Sequence, residues 1–286
     1  MKPAQRTEAD FPTINDDGTL SAIVDDAPWA VAGALLLPVR VPATLPAEQL
    51  AGRYFLARCT EATPWARAHD WTLPLRRTLY VADRRALVAE DGGAERWRLT
   101  AALGDDAGLH WLSERAPGTR INLIGPLGSG FDLPLTTRSL LVLAEPARLP
   151  ALLPLVHAAL DRGGHVAVLL RDAAPLDPDL LRLLPMAVET RQAGDDEEWL
   201  GQLGALARWA DYAALALPAA LLPGAAMQIK AGRLRLDRGF AHVLADVPLP
   251  CTTGACHGCL VALGNGRQTR SCVHGPVFDL AELVRL

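Results

Sequence analysis

Short apolar runs, separated by proline, glycine and aspartate, dominate the chain between about residues 30 and 131. The candidate strands cover residues 35–41, 53–59, 77–82, 86–89, 96–101 and 120–124. Regular short strands with turn signals between them are typical of a barrel or a sandwich. The preceding residues, 1–27, are polar and acidic, and we expect them to form a flexible N-terminal tail.

After Pro134 the pattern changes to apolar strands that alternate with helices. A helix is predicted over 151–162, and a second runs from Asp195 or Asp196 to Ala210. The predicted strands cover residues 140–144, 166–170, 186–190 and 213–217. Strands that are buried on both faces and alternate with helices indicate a parallel α/β layer.

The last segment, residues 246–286, is rich in cysteine and glycine and too poor in apolar residues to form an independent core. A bound cofactor would supply the missing cross-link. We therefore expect an α+β multidomain protein. Its parts are a tail (1–27), a β-barrel (28–136), a parallel α/β domain (137–245) and a small C-terminal domain (246–286).

Composition excludes some classes of protein. The chain has 286 residues, is 50% hydrophobic and carries a formal net charge of −4, with no run rich in lysine and arginine. We expect no nucleic-acid partner, because such proteins carry a basic patch. No apolar stretch reaches the ~20 residues of a membrane span, and the N-terminus lacks a signal-peptide core. These features predict a cytoplasmic protein.

Four of the five cysteines lie within 22 residues of one another, with the spacing C-x4-C-x2-C-x12-C. They are Cys251, Cys256, Cys259 and Cys272. A plant-type [2Fe–2S] pattern begins with the same C-x4-C-x2-C spacing and ends with a distant fourth cysteine. The alternative is a structural zinc site, although zinc sites favour two C-x2-C pairs and only one occurs here. The fifth cysteine, Cys59, is interpreted as a small buried hydrophobic residue.

The run CTTGACHGC at residues 251–259, followed by CVHGPVFD at 272–279, resembles the C-terminal domain of the electron-transfer subunit of class B dihydroorotate dehydrogenase. GPLGSGF at residues 125–131 is similar to the family's Gly-Pro-Leu-Gly-Asn-Gly-Phe loop. AGRYF at 51–55 is similar to its Pro-Gly-Gln-Phe strand entry. The resemblance covers roughly residues 30–286, although Thr252 replaces a glycine of the family pattern.

The resemblance implies a ferredoxin-reductase-like architecture with an FAD-binding barrel, an NAD-binding-like domain and a [2Fe–2S] domain held by the four clustered cysteines. It also implies a role as a non-catalytic electron-transfer subunit in pyrimidine biosynthesis. Members of this family take a hydride from NADH and pass electrons to an FMN-containing catalytic subunit. We therefore expect a hetero-oligomer with a catalytic dihydroorotate dehydrogenase-type flavoprotein.

The flavin motif of the family, Arg-x-Tyr/Phe-Ser/Thr, aligns with Arg77, Leu79 and Tyr80. The arginine is kept, the stacking ring is replaced by leucine, and the small hydroxyl is replaced by a phenol. The resemblance implies a second contact at Gly108 and Leu109, where the family has Gly-Thr. The alternatives are solvated or salt-bridged strand arginines at 76 and 77, and an ordinary helix start after an acidic turn at 108.

The glycine-rich loop contributes Gly125, Gly128 and Gly130 to the predicted flavin site. In the family this loop lies near the flavin and the domain interface. The alternative interpretation is a tight turn between the barrel and the α/β domain, because three glycines in six residues indicate positive φ angles.

The nicotinamide elements depart furthest from the family. Where the family has a glycine-rich turn after the first α/β strand, this chain has AEPARLP at 144–150, without glycine and with Glu145 and two prolines. The family's late Cys-Gly-Pro is Ala-Leu-Pro at 216–218. These departures argue against NADH binding in the family's manner. The alternative function is a degenerate iron–sulfur relay, or a structural partner subunit, that no longer binds NADH and either keeps or has lost FAD.

Overall fold

The computed structural model describes residues 11–43, 50–60, 75–86, 94–251 and 253–285. The first eight strands are β1 (Thr13–Ile14), β2 (Leu20–Val24), β3 (Trp29–Val31), β4 (Ala34–Pro42), β5 (Tyr54–Ala57), β6 (Arg77–Ala86), β7 (Ala94–Ala102) and β8 (Arg120–Leu127). Six of them close into an antiparallel barrel in the order β2-β8-β5-β6-β7-β4, and the β2–β4 pairing completes the circle. The predicted barrel is confirmed.

The prediction of a tail over residues 1–27 is wrong for its second half. β2 pairs with both β8 and β4, and is therefore an integral strand of the barrel. Its residues Leu20, Ala22 and Val24 point into the barrel core and are almost fully buried. The alternation of buried side chains in LSAIV is a strand signal, which the acidic residues around it obscured. The predicted strand at 86–89 falls mostly outside the described residues.

The second half of the chain supplies β9 (Ser139–Ala144), β10 (His165–Arg171), β11 (Glu189–Ala193), β12 (Tyr212–Ala216), β13 (Ala241–Leu244), β14 (Leu260–Ala262), β15 (Gln268–Arg270) and β16 (Val277–Asp279). A six-stranded sheet has the order β11-β10-β9-β12-β13-β16. Its first five strands are parallel, which confirms the predicted parallel layer, although β13 was not among the four strands predicted for it. β16 pairs antiparallel with β13 at the edge. The C-terminal segment thus contributes one strand to the α/β layer.

The helices flank these sheets. They are α1 (Ala107–Ser113), α2 (Leu153–Asp161), α3 (Pro178–Leu181), α4 (Asp196–Trp209), α5 (Leu222–Arg233), α6 (Ser271–His274) and α7 (Leu280–Leu283), with 3-10 helices at Pro146–Leu152 and Ala219–Leu221. α4 begins where the sequence predicts, because the Asp195 carboxylate accepts a hydrogen bond from the backbone N–H of Glu198. Of the described helices, none has the length and apolar content to cross a bilayer.

One predicted strand is displaced. The sequence predicts a strand at 186–190, whereas β11 starts at Glu189 and ends at Ala193. Met186 is fully exposed in the turn that precedes it. β11 is the edge strand of the sheet, so its alternating pattern of polar residues suits one exposed face and carries little hydrophobic signal.

Candidate functional site

The four clustered cysteines lie on one loop and on the short helix that follows β15. The Sγ atoms form two pairs, Cys251 with Cys256 and Cys259 with Cys272, each separated by 3.2 Å. This distance is well beyond the ~2.05 Å of a disulfide bond. Among the described residues, no group of three His, Cys, Asp or Glu side chains is placed to hold a single ion. Two pairs of thiols match the two irons of a [2Fe–2S] cluster better than one zinc ion.

Backbone N–H groups point at the sulfur atoms. The amide of Gly258 donates to Cys256 Sγ at 3.3 Å, and the amide of Cys272 donates to Cys259 Sγ at 3.5 Å. Hydrogen bonds from the backbone of Cys256 are the largest of the effects that lower the pKa of the Cys251 thiol to about 6. Such donors stabilise thiolates, and they tune the potential of a cluster that thiolates hold.

Glycine allows the loop to fold this tightly. Gly254 has a φ of +74°, and an added Cβ would lie 2.9 Å from Val273 Cγ2. The carbonyl of Gly254 also accepts a hydrogen bond of 3.0 Å from Arg270.

The cysteine loop has a buried side and an exposed side. Cys259 is 1% exposed and packs with Tyr54, Leu56 and Leu249. Burial raises the pKa of the neighbouring Cys272 thiol to about 11. In contrast, Cys256 is exposed at the surface. An electron carrier bound to this loop would therefore have one face against the protein interior and another face towards solvent.

A cavity of about 470 Å³ lies between the barrel, the parallel sheet and the segment that leads into the cysteine loop. Its walls include Tyr80 and Thr78 from β6, Ala216 from the end of β12, and Leu249 and Pro250 directly before Cys251. The residues that line the cavity therefore run directly into the cysteine loop in the sequence. Largely apolar walls with a few polar groups are typical of cofactor sites.

Arg77 lines one end of this cavity and pairs with Asp106. Its Nε lies 2.7 and 2.8 Å from the two carboxylate oxygens. Asp106 also caps α1 by accepting a hydrogen bond of 2.9 Å from the amide of Leu109. Burial tends to raise the pKa of Asp106, but the bonds from Arg77 and the Leu109 amide outweigh it and lower that pKa. Gly108 lies against the Arg77 side chain, where a Cβ would be 2.6 Å from Nε.

Three further predicted flavin residues differ in where their side chains lie. Tyr80 and Leu109 line the cavity. Leu79, the next residue along β6 from Thr78, is fully buried inside the barrel and packs in its core, so it does not line the cavity. The alternation of a strand explains the difference, because successive side chains point to opposite faces.

Comparison with known proteins connects these features to a family. Residues 249–284, which contain all four clustered cysteines, match the family model described as the iron–sulfur cluster binding domain of dihydroorotate dehydrogenase B. The electron transfer subunit of dihydroorotate dehydrogenase B (NAD(+)) from Desulforamulus reducens is 31% identical over 186 residues, which cover 62% of this chain and 70% of the relative. The chain belongs to this family of electron transfer subunits. The Geobacillus thermodenitrificans subunit is 27% identical, with the same coverage.

Solved structures agree on the fold. The NADH-dependent reduced ferredoxin-NADP oxidoreductase has a TM-score of 0.65 and 16% identity, covering 92% of this chain and 89% of that structure. Phthalate dioxygenase reductase has a TM-score of 0.56 and 14% identity, covering 90% and 77%. The predicted ferredoxin-reductase-like architecture of this electron transfer subunit is confirmed.

The glycine-rich loop of this family member contacts the C-terminal segment, and its glycines do not line the cavity. Gly128 has a φ of +75°, and a Cβ there would lie 2.5 Å from Pro276 Cδ. The amide of Ser129 donates to the carbonyl of Gly275 at 2.7 Å. Gly125 packs on Phe55, where a Cβ would lie 2.5 Å from the ring, and Gly130 completes the loop. The loop therefore joins the barrel to the C-terminal segment.

The sequence analysis missed one group that lines the cavity. Arg148 pairs with Asp246 at 2.6 Å and with Glu145 at 3.3 Å. The i,i+3 spacing of Glu145 and Arg148 is a local signal for such a pair. Asp246 lies almost a hundred residues further along the chain, and only the parallel sheet brings it there.

Proposed function

We propose that this chain relays electrons between a flavin in the cavity and a [2Fe–2S] cluster on the cysteine loop, and exchanges them with a catalytic dihydroorotate dehydrogenase subunit. The observation that carries the proposal is the continuity of the two sites. Leu249 and Pro250 line the cavity, and Cys251 follows at once with its thiol beside Cys256. Family membership supports the same function.

The pairing of the two cofactors has a chemical reason. A flavin accepts two electrons and releases them singly, whereas a [2Fe–2S] cluster carries one. In our proposal Cys251, Cys256, Cys259 and Cys272 hold the cluster, two cysteines to each iron. The amides of Gly258 and Cys272 donate to the sulfur atoms and stabilise negative charge on them.

The cavity fits the ring system of a flavin. Ala147, Ala151 and Leu244 supply apolar walls, and the Tyr80 phenol supplies a polar group. If FAD binds, Arg77 would hold its phosphate groups beside Gly108, which lies against the Arg77 side chain. Arg77 and the Leu109 amide would then both have to share or give up Asp106, which accepts hydrogen bonds from each of them. We leave Leu79 out of this assignment because its side chain faces the barrel core.

The partner and the compartment are parts of the proposal. The curated relatives are named as electron transfer subunits of dihydroorotate dehydrogenase B, which supports a hetero-oligomer with a catalytic subunit of that enzyme. Since four of the five cysteines lie together and are free thiols, a reducing cytoplasm suits the chain.

The test is an anaerobic visible absorption spectrum of the purified chain, with iron and released flavin quantified per chain. We expect flavin bands over a broad cluster absorption, with iron in the ratio of one [2Fe–2S] cluster per chain. A colourless, zinc-loaded chain would overturn the proposal.

The alternative function is a relay without flavin. The Arg77–Asp106 pair favours it, because the arginine that would hold a phosphate already has an anionic partner. Cluster absorption without flavin bands would support this alternative. It would leave the cysteine assignment intact and remove the cavity from the electron path.

A further inference from the structure

The parallel sheet defines where a dinucleotide would bind. In such sheets a nucleotide binds beyond the carboxyl ends of the strands, at the point where the strand order reverses. The chain runs from β9 outward through β10 to β11, and then returns to β12 on the other side of β9. The carboxyl ends of β9 and β12, with the neighbouring end of β13, therefore form the expected crevice.

The turn after β9 lacks the groups that a pyrophosphate needs. The Glu145 amide faces the end of β12 and donates to the carbonyl of Ala216 at 3.4 Å. The 3-10 helix Pro146–Leu152 then begins with one proline and contains a second, Pro150. Prolines have no N–H to donate, and the turn has no glycine to let a phosphate approach the backbone.

Charged side chains of the protein occupy the crevice itself. The Arg148 guanidinium binds Glu145, which follows β9, and Asp246, which follows β13. Because β12 lies between these two strands, the ion pairs cross over its carboxyl end. We call Glu145, Arg148 and Asp246 the Arg148 bridge. Two carboxylates and one guanidinium give it a net negative charge, which repels a diphosphate.

The barrel holds the turn in place from the other side. The 3-10 helix packs against β4, β6 and β7. Ala147 packs on the turn before β4, where its Cβ lies 3.4 Å from the position that a Cβ on Gly33 would take. Leu149 on the same helix is fully buried. A nucleotide could not displace the turn without opening this packed interface.

We propose that the Arg148 bridge excludes pyridine dinucleotides from the crevice at the carboxyl ends of β9, β12 and β13. This inference deepens the proposed function, because it removes NADH and NADPH as hydride donors to the cavity.

Nucleotide binding tests the exclusion without relying on either cofactor. In equilibrium dialysis of the purified chain against NADH or NADPH, we expect no saturable binding up to about 1 mM, the upper end of ordinary KM values. Anaerobic NADH should also leave the visible spectrum unchanged, whereas dithionite should bleach it. Saturable binding or bleaching by NADH would overturn the inference. Missing iron would instead overturn the proposed function, and missing flavin would favour its flavin-free alternative.

Matched variants test the assigned residues. The double variant Glu145→Ala with Asp246→Ala removes both carboxylates and frees Arg148 to meet a phosphate. We therefore expect the amount of NADH bound per chain in the same dialysis to rise at least tenfold. The control, Asp179→Ala with Glu189→Ala, makes the same charge change at two exposed ion pairs elsewhere in this half of the chain. An equal response from both variants, or none from the first, would contradict the role of the Arg148 bridge.

Discussion

Tyr54 lies directly opposite Tyr80 on the neighbouring antiparallel strand of the barrel. Tyr80 lines the cavity, whereas Tyr54 packs with Leu249 and Cys259 of the cysteine loop. Burial is the main cause that raises the pKa of Tyr54 to about 12, with a further contribution from the nearby thiols. The wall between the cavity and the loop is thus made of two aromatic rings that stay neutral at physiological pH.

Removing the Tyr54 ring should weaken the packing of both the cavity wall and the cysteine loop. Tyr54 is 1% exposed, and truncation of a large buried aromatic residue costs roughly 3–5 kcal/mol. We expect Tyr54→Ala to lower the free energy of unfolding by about that amount and to reduce the iron retained per chain. Denaturant titration and iron assay measure the two effects. Tyr54→Phe, which keeps the ring, should stay close to the parent, and equal losses in the two variants would contradict this packing role.

The Gly128 contact should be sensitive to a single methyl group. A Cβ at Gly128 would meet Pro276 Cδ at 2.5 Å and the Gly275 carbonyl oxygen at 2.7 Å, in addition to the strain of φ +75°. Gly118 has a similar φ of +88°, but nothing lies within 4 Å of its Cβ position. We expect Gly118→Ala to cost about 1–2 kcal/mol from strain alone, and Gly128→Ala to cost clearly more.

Thermal unfolding and limited proteolysis of the C-terminal segment distinguish the two glycine variants. Gly128→Ala should release residues near Gly275 to protease and lower the Tm further. Identical Tm values would mean that the loop does not clamp the segment.

The barrel and the parallel sheet could be predicted from the sequence because their strands are short apolar runs with clear breaks. The run at β9 is an example, since five of its six residues are fully buried. β2 was missed because Asp16, Asp17 and Asp25 flank it and because its partner strand β8 lies about a hundred residues further along the chain.

The candidate site also has parts that the sequence predicts and parts that it does not. The cysteine spacing is local and could be read directly, and so could the glycines that fold the loop. The Arg77–Asp106 and Arg148–Asp246 pairs join residues 29 and 98 positions apart, and no local pattern specifies such partners. Leu79 was selected by alignment to a motif, but the strand turns its side chain to the barrel core.

Replacing one clustered cysteine should have a different result from replacing the isolated one. Cys256→Ser removes a proposed iron ligand at the surface, so we expect the iron content per chain and the cluster absorption to fall sharply. Cys59 is fully buried in the barrel core, and burial raises its pKa to about 11. Cys59→Ser should therefore keep the iron while costing some stability, since its hydroxyl enters an apolar core. Loss of iron in both variants would contradict the assignment.

Asp106→Asn tests whether the carboxylate competes with a phosphate for Arg77. Asparagine keeps the N-cap of α1 but gives up the charge, so we expect flavin content per chain to rise several-fold. Arg77→Leu should lower it. Released flavin, measured by fluorescence after the same purification, decides between the two directions. A fall in flavin with Asp106→Asn would mean that the carboxylate supports the site by orienting Arg77.

The Arg77–Asp106 pair should also make the stability of the folded chain depend on pH in a defined direction. The pKa of Asp106 is lowered in the folded chain by Arg77 and the Leu109 amide, which together outweigh burial. A lowered carboxyl pKa adds stability above the unfolded value of about 4, and this contribution is lost as the pH falls through the folded value. The parent should therefore be more stable than Asp106→Asn at pH 7, and the difference should shrink below about pH 4. Urea titrations at both pH values measure it, and a difference that grows in acid would contradict the ion pair.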